Sequence, residues 1–340
     1  MTDVIQRSDG TINRRLHDII DLSVKASDKP IGGVKTSDIT VDAARNLWFR
    51  LYTPTDTVAA AGAAGLTLPV IIFFHGGGFA FFSAGSIFYH NLCCRLACKI
   101  PAVVISVNYR LSPEHRFPSQ YDDGLDTLKF LDEAKLSDFP ADLSRCFLAG
   151  DSAGANLAHH VACRIGEAEL RRLRVIGQIS VQPFLGGEER TASENRLTKA
   201  ALVTIPRTDW VWKAFLPEGE NRDHEAVNVM GPRAVDLRGV KYPKTMVVVG
   251  GFDPLQDRQR QFREWLRRSG KEVELIEYSN AVHAFYFFPE LPESSELMDE
   301  NLQIEGGTYD GSIYFANDMH LTALFAVHLS STMEPNLQLL

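Results

Sequence analysis

Hydrophobic and polar positions follow two rhythms along this chain. Residues 69–74, 102–107, 146–149, 175–181 and 245–249 form short, mostly apolar runs. Such runs read as strands of a sheet covered on both faces. Between most of them lie helical patterns, for example over 88–98, 122–133 and 258–269. A last strand, 273–278, carries Glu274 and Glu277 and should lie near the sheet edge. Upstream, 39–41 and 47–52 read as an antiparallel pair joined through 42–46. This order predicts an α/β fold with a mostly parallel, doubly wound sheet and right-handed crossovers. The low-complexity stretch 59–65 reads as an exposed loop. Residues 188–216 and the first 35 residues match no sheet element. They are expected to cap the carboxyl ends of the strands, where ligands bind in such sheets. The expected division is an N-terminal cap segment over 1–35, the α/β domain over 36–297 with a cap insertion near 188–216, and a tail over 298–340.

Candidate chemistry falls at the expected strand ends. The strand over 146–149 runs into Gly150-Asp151-Ser152-Ala153-Gly154, followed by the helical stretch 155–162. A serine in a G-x-S-x-G strand-to-helix turn cannot be packed away, so its hydroxyl projects above the sheet as a nucleophile. His75-Gly76-Gly77-Gly78-Phe79 directly follows the strand over 69–74. Glycines there let backbone N–H groups approach a substrate carbonyl with no side chain in the way. The expected oxyanion hole takes its donors from Gly77, Gly78 and Ala153, with Gly76 shaping the loop. Each such donor is worth about 2.7–4 kcal/mol in the transition state.

The remaining members of a triad should follow in the order Ser, Asp, His. Asp253 lies just past the strand over 245–249. Asp257, one helical turn on, is its competitor and is expected to face solvent or cap the helix. His283 stands on a loop after the last strand. His75 is expected to be structural, His159 and His160 lie on the helix behind Ser152, and His224 sits in a polar segment. None of these four is placed to serve the nucleophile.

Composition narrows the field further. The chain has 340 residues and a formal net charge of −8. It lacks a basic stripe, which excludes a nucleic-acid or anionic-membrane partner. The short basic clusters at Arg14-Arg15 and Arg171-Arg172 read as solvated helix faces or ends. Five cysteines, odd in number and without zinc spacing, suit a reducing compartment. The polar N-terminus does not read as a signal peptide, and no apolar run approaches the roughly 18 residues of a membrane span. The expectation is a soluble cytoplasmic protein, with the nucleus as an additional location, using no metal and no cofactor.

Together, His75 to Phe79, Asn108 to His115, Tyr121 to Gly124, the serine turn, Asp253 and His283 resemble the hormone-sensitive-lipase branch of α/β-hydrolases. The likeness is to plant carboxylesterases, the group that also contains the gibberellin receptors, and it spans residues 5–297. It implies a serine carboxylesterase acting on small to medium esters through an acyl-enzyme. Its alternatives are a hormone receptor without catalysis and a dehydratase or cyclase relative. The stretch Tyr109 to Glu114 has no catalytic role derivable from its residues and is expected to form a buried polar brace.

The segments 8–16, 182–187 and 209–215 are similar to parts of the receptors' lid and pocket. Tyr89 and Tyr286 match receptor pocket positions, and Val203 lies in the matching cap segment. With Phe79 and Trp210 they are expected to line the substrate pocket. Three departures favour an enzyme. The receptors lose the triad histidine, their oxyanion motif carries serine where this chain has Gly78, and their lid has a further helix upstream of the point where this chain begins. After Leu297 the sequence no longer matches the family, which would finish with one amphipathic helix.

Overall fold

The computed structural model describes residues 7, 11–63, 67–133, 141–299, 305–306 and 313–314. In chain order the elements begin with α1 (Arg14–Ile20), β1 (Val34–Asp42), β2 (Leu47–Pro54), α2 (Thr55–Ala63) and β3 (Leu68–Phe74). Next come α3 (Ile87–Lys99), β4 (Val103–Asn108), α4 (Ser119–Glu133), β5 (Ala141–Asp151) and α5 (Ala153–Arg164). β6 (Val175–Val181), α6 (Ala192–Arg196), α7 (Ile205–Phe215) and β7 (Lys244–Gly250) follow. α8 (Gln256–Arg268), β8 (Val273–Tyr278) and α9 (Pro292–Asp299) complete the domain, and a two-residue pairing, β9 (Glu305–Gly306) with β10 (Ile313–Tyr314), lies beyond it.

The main sheet has eight strands in the order β1-β2-β4-β3-β5-β6-β7-β8. β1 and β2 pair antiparallel, β2 joins β4 antiparallel, and every later pairing is parallel. This is the doubly wound sheet the apolar runs predict, with β8 at the edge. In β3 every residue is buried, and the pleat divides them between two cores. Val70, Ile72 and Phe74 enter the core shared with α5, while Ile71 and Phe73 enter the core shared with α3. Each such side chain contributes about 1.5–3 kcal/mol by leaving water.

One expected loop is partly a helix. Residues 55–63 form α2 because alanine is the strongest helix former and dominates the segment. None of its side chains is buried, so the expected exposure holds. Residues 64–66 of that loop lie outside the described residues, as does most of the tail after Asp299. Among the described residues, no helix is long and apolar enough to cross a membrane.

The insertion over 188–216 supplies α6 and α7. The N-terminal segment runs beside the loop after β3. Ile12 is buried in the core, Val24 N–H donates to Gly85 O (2.8 Å), and Ile87 N–H donates to Leu22 O (2.8 Å).

Candidate active site

The loops after β3, β5, β7 and β8 converge at the carboxyl end of the sheet. Ser152 sits between β5 and α5 with φ 51° and ψ −117°. A non-glycine residue held there carries on the order of 1–3 kcal/mol of strain, which the packing around it must hold. The flanking glycines allow that packing. A Cβ on Gly154 would lie 1.9 Å from Phe74 O, and one on Gly150 would lie 2.4 Å from the Gly154 backbone. The serine turn is therefore pressed directly against β3.

The structure brings the three triad candidates into one hydrogen-bonded line. His283 Nε2 lies 3.1 Å from Ser152 Oγ, and His283 Nδ1 lies 2.7 Å from Asp253 Oδ2. Asp253 is fully buried and accepts further bonds from Leu255 N–H (2.9 Å) and Gln259 Nε2 (2.9 Å). Burial works against a charged His283, but the charge and hydrogen bond of Asp253, with Asp151 behind, outweigh it and hold the imidazole above its ordinary value. Asp257 takes no part in this line. Its carboxylate accepts from Ser193 N–H (2.7 Å) and pins α6 to α8.

The loop after β3 runs through left-handed conformations at Gly77 (φ 94°) and Gly78 (φ 62°). Neither N–H has an acceptor among the described residues, and Ala153 N–H stands at the first turn of α5, where no helical partner exists. All three are available to a negatively charged ligand atom, and the positive end of the α5 dipole favours one there. Gly76 is turned the other way. Its N–H donates to Asp151 Oδ1 (2.9 Å) and Tyr89 Oη (2.7 Å), so it shapes the loop and is no oxyanion donor.

A brace holds that loop from behind. Tyr109 Oη donates to His75 O (2.6 Å) and Ser112 N–H donates to Phe79 O (2.8 Å). Arg14, from the N-terminal segment, donates to Ala80 O (2.6 Å) and Ser112 O (2.7 Å) and pairs with Glu114. His17 Nε2 accepts from Phe82 N–H (3.1 Å). His75 is fully buried, stacks on Tyr109 and is pushed down to about 4 by burial, in keeping with a structural role.

A cavity of about 280 Å³ opens beside Ser152 and His283. Tyr89, Val203 and Tyr286 line it, together with Phe82, Val211 and Asp151. Phe79 and Trp210 do not, against the sequence expectation. Phe79 turns at φ 60° into the core and stacks on Phe215 at 4.0 Å, while Trp210 stacks on Phe81. The two tyrosines do more than line the wall. Both phenols donate to Asp151 Oδ2, from Tyr89 at 2.8 Å and from Tyr286 at 2.6 Å. With Gly76 they join the loop after β3, the serine turn and the His283 loop at one carboxylate. Burial raises that carboxyl to about 6, against the lowering effect of the three donors. Sequence reasoning missed Asp151 because it fills an x of G-x-S-x-G.

The sequence model of the alpha/beta hydrolase fold matches residues 71–287, so the chain belongs to the α/β-hydrolase family. Within that family it belongs to the hormone-sensitive-lipase-like branch that plant carboxylesterases and gibberellin receptors share. It is 43% identical to the gibberellin receptor GID1C of Arabidopsis thaliana, over 87% of this chain and 88% of that protein. It is 34% identical to carboxylesterase 20 of the same plant, over 82% and 87%. An esterase of Pyrobaculum calidifontis superposes with a TM-score of 0.66, at 26% identity over 81% of this chain and 85% of that one.

Proposed function

We propose that this protein is a serine carboxylesterase acting on small to medium carboxylic esters. The observation that carries the reading is the Ser152–His283–Asp253 line opening onto a cavity with unengaged N–H groups beside it. Ser152 attacks the ester carbonyl while His283 Nε2 takes its proton. Asp253 keeps the other imidazole proton on Nδ1 and stabilises the imidazolium. Gly77, Gly78 and Ala153 N–H groups hold the oxyanion. His283 then protonates the leaving alcohol, and water attacks the acyl-enzyme with His283 again as base. The cavity suits a short acyl or alcohol group rather than a long chain. Its apolar walls bind by burial, and no metal or cofactor enters any step.

The 43% identity to a gibberellin receptor supports a second reading, a binding protein without turnover. One experiment separates the two. Hydrolysis of p-nitrophenyl acetate and butyrate is measured for the wild type and Ser152→Ala, alongside gibberellin binding. The esterase reading expects turnover that vanishes in the variant. Tight hormone binding with no turnover above the variant would overturn it.

A further inference from the structure

The general base stands on a segment with little regular structure. β8 ends at Tyr278, and the next turn, a short 3-10 helix, begins at Phe285. Between them the chain reverses at Ala284, which is left-handed with φ 65° and ψ 26°. Backbone partners hold this segment as far as Ala281. Its N–H donates to Tyr278 O (3.1 Å), and its C=O accepts from Phe252 N–H (2.9 Å). On either side of His283 the partner is a side chain instead. Gln182 Nε2 donates to Val282 O (3.1 Å), and Gln182 Oε1 accepts from Ala284 N–H (2.8 Å). One carboxamide closes on both neighbouring residues, as an adjacent strand would. Only one orientation of the amide serves, because the carbonyl needs a donor and the N–H needs an acceptor.

The surroundings of Gln182 are built for this contact. It follows β6, is fully buried, and its own N–H donates to Val248 O in β7 (2.8 Å). Its backbone is left-handed at φ 45°, a conformation that a non-glycine residue keeps only when the structure around it imposes it. The carboxamide crosses the end of β7 at Gly250, where a Cβ would lie 2.5 Å from Nε2. A second strained residue and a glycine are thus arranged so that one side chain can reach the His283 loop.

We infer that Gln182 is a positioning residue for the general base: its carboxamide fixes the residues flanking His283 and so sets where Nε2 stands relative to Ser152 Oγ. This rests on the esterase reading for its kinetic consequence but not for its geometric one. Gln182 does not line the cavity, so its loss should reach the chemical step and leave substrate binding alone.

Gln182→Leu keeps most of the volume and removes both hydrogen bonds. The expected result is a fall in kcat of about 10²-fold, the effect of misplacing a reacting group by ~1 Å, with KM close to wild type. Gln182→Met keeps the length and flexibility of the side chain and likewise removes both hydrogen bonds, so it serves where leucine prevents folding, with the same loss expected. Gln178→Leu is the control. That glutamine is also a buried residue of this region, in β6, and donates to Ser180 Oγ (2.9 Å) away from the site. It should cost stability and leave kcat unchanged.

The second readout is the strongly downfield NMR proton that His283 Nδ1 shares with Asp253, recorded without substrate. It should be sharp in the wild type and shifted or broadened in Gln182→Leu. A wild type that turns over no ester, with the proton nonetheless shifted or broadened in Gln182→Leu, would defeat the esterase reading and leave the positioning role standing. A folded variant with near-wild-type kcat and an unchanged proton would overturn the inference. So would a KM that rises as far as kcat falls, or an equal loss in Gln178→Leu.

Discussion

Replacing Asp253 by asparagine should disable the base with almost no change of shape. In the native site Oδ1 accepts from Leu255 N–H (2.9 Å), while Oδ2 accepts from His283 Nδ1 (2.7 Å) and Gln259 Nε2 (2.9 Å). An asparagine must keep its oxygen against the backbone N–H of Leu255, which cannot turn away. Its NH2 then faces both His283 and Gln259. Gln259 can accommodate this by rotating its own amide, because its Oε1 is buried without a partner among the described residues and would accept one proton. His283 Nδ1 must accept the other. The imidazole proton therefore moves to Nε2 and points at Ser152 Oγ, where a lone pair is needed. In serine proteases this tautomer error costs about 10⁴ in kcat, equivalent to ~5.4 kcal/mol. The assay is steady-state hydrolysis of p-nitrophenyl butyrate by Asp253→Asn, with thermal unfolding to show an intact fold. A folded variant that loses less than about tenfold, roughly 1.4 kcal/mol, would mean that Asp253 does not set the His283 tautomer.

Three further outcomes follow from the same site. The log of kcat/KM should rise with pH along an acid limb whose midpoint lies above the ordinary histidine value of 6.5, because Asp253 and Asp151 favour the imidazolium over the opposing effect of burial. A midpoint below that value would show that burial dominates; the same raised pKa adds stability that is present at low pH and lost as pH rises through the folded value. Asp151 behaves in the same sense. Its carboxyl is lifted from 3.8 to about 6, so the folded state holds a proton that the unfolded chain releases, and on the order of 3 kcal/mol is lost as pH rises through that window. Asp151→Asn should flatten this slope in denaturant unfolding at pH 4 and 7.5, and curves parallel to wild type would contradict it. Gly78→Ser places a Cβ 2.8 Å from Val211 Cγ1 at φ +62°. It should cost about 1 kcal/mol of stability and lower kcat by disturbing one oxyanion donor, and unchanged kinetics would remove Gly78 from that role.

How much of this was legible depends on whether the sequence constrains backbone or packing. The serine turn and the glycine loop are legible because both turns need particular backbone shapes. Gly154 is required by the contact with Phe74 O, and Gly77 and Gly78 by their left-handed torsions. The parallel sheet could be read because strands buried on both faces need nearly continuous apolar runs. Phe79 and Trp210 were misplaced because a loop or cap side chain takes its direction from tertiary packing. Phe79 follows two left-handed glycines and is itself left-handed, which turns it into the core. α2 departs from the expected loop because a run of alanine and glycine is compatible with both loop and helix. Asp151 and Gln182 bear on neighbouring loops through their side chains alone, and only the fold brings those loops together.

On the proposed mechanism Ser152 becomes acylated and is then released with His283 as its base. Acid-quenched turnover of p-nitrophenyl butyrate, analysed by peptide mass spectrometry, tests it most directly. The expected result is one butyryl group on the peptide carrying Ser152 in the wild type, formed with a burst of p-nitrophenol and far more slowly in His283→Ala. A wild-type protein that hydrolyses the ester without ever carrying the acyl group on Ser152 would contradict it, as would labelling at equal rates in the two proteins.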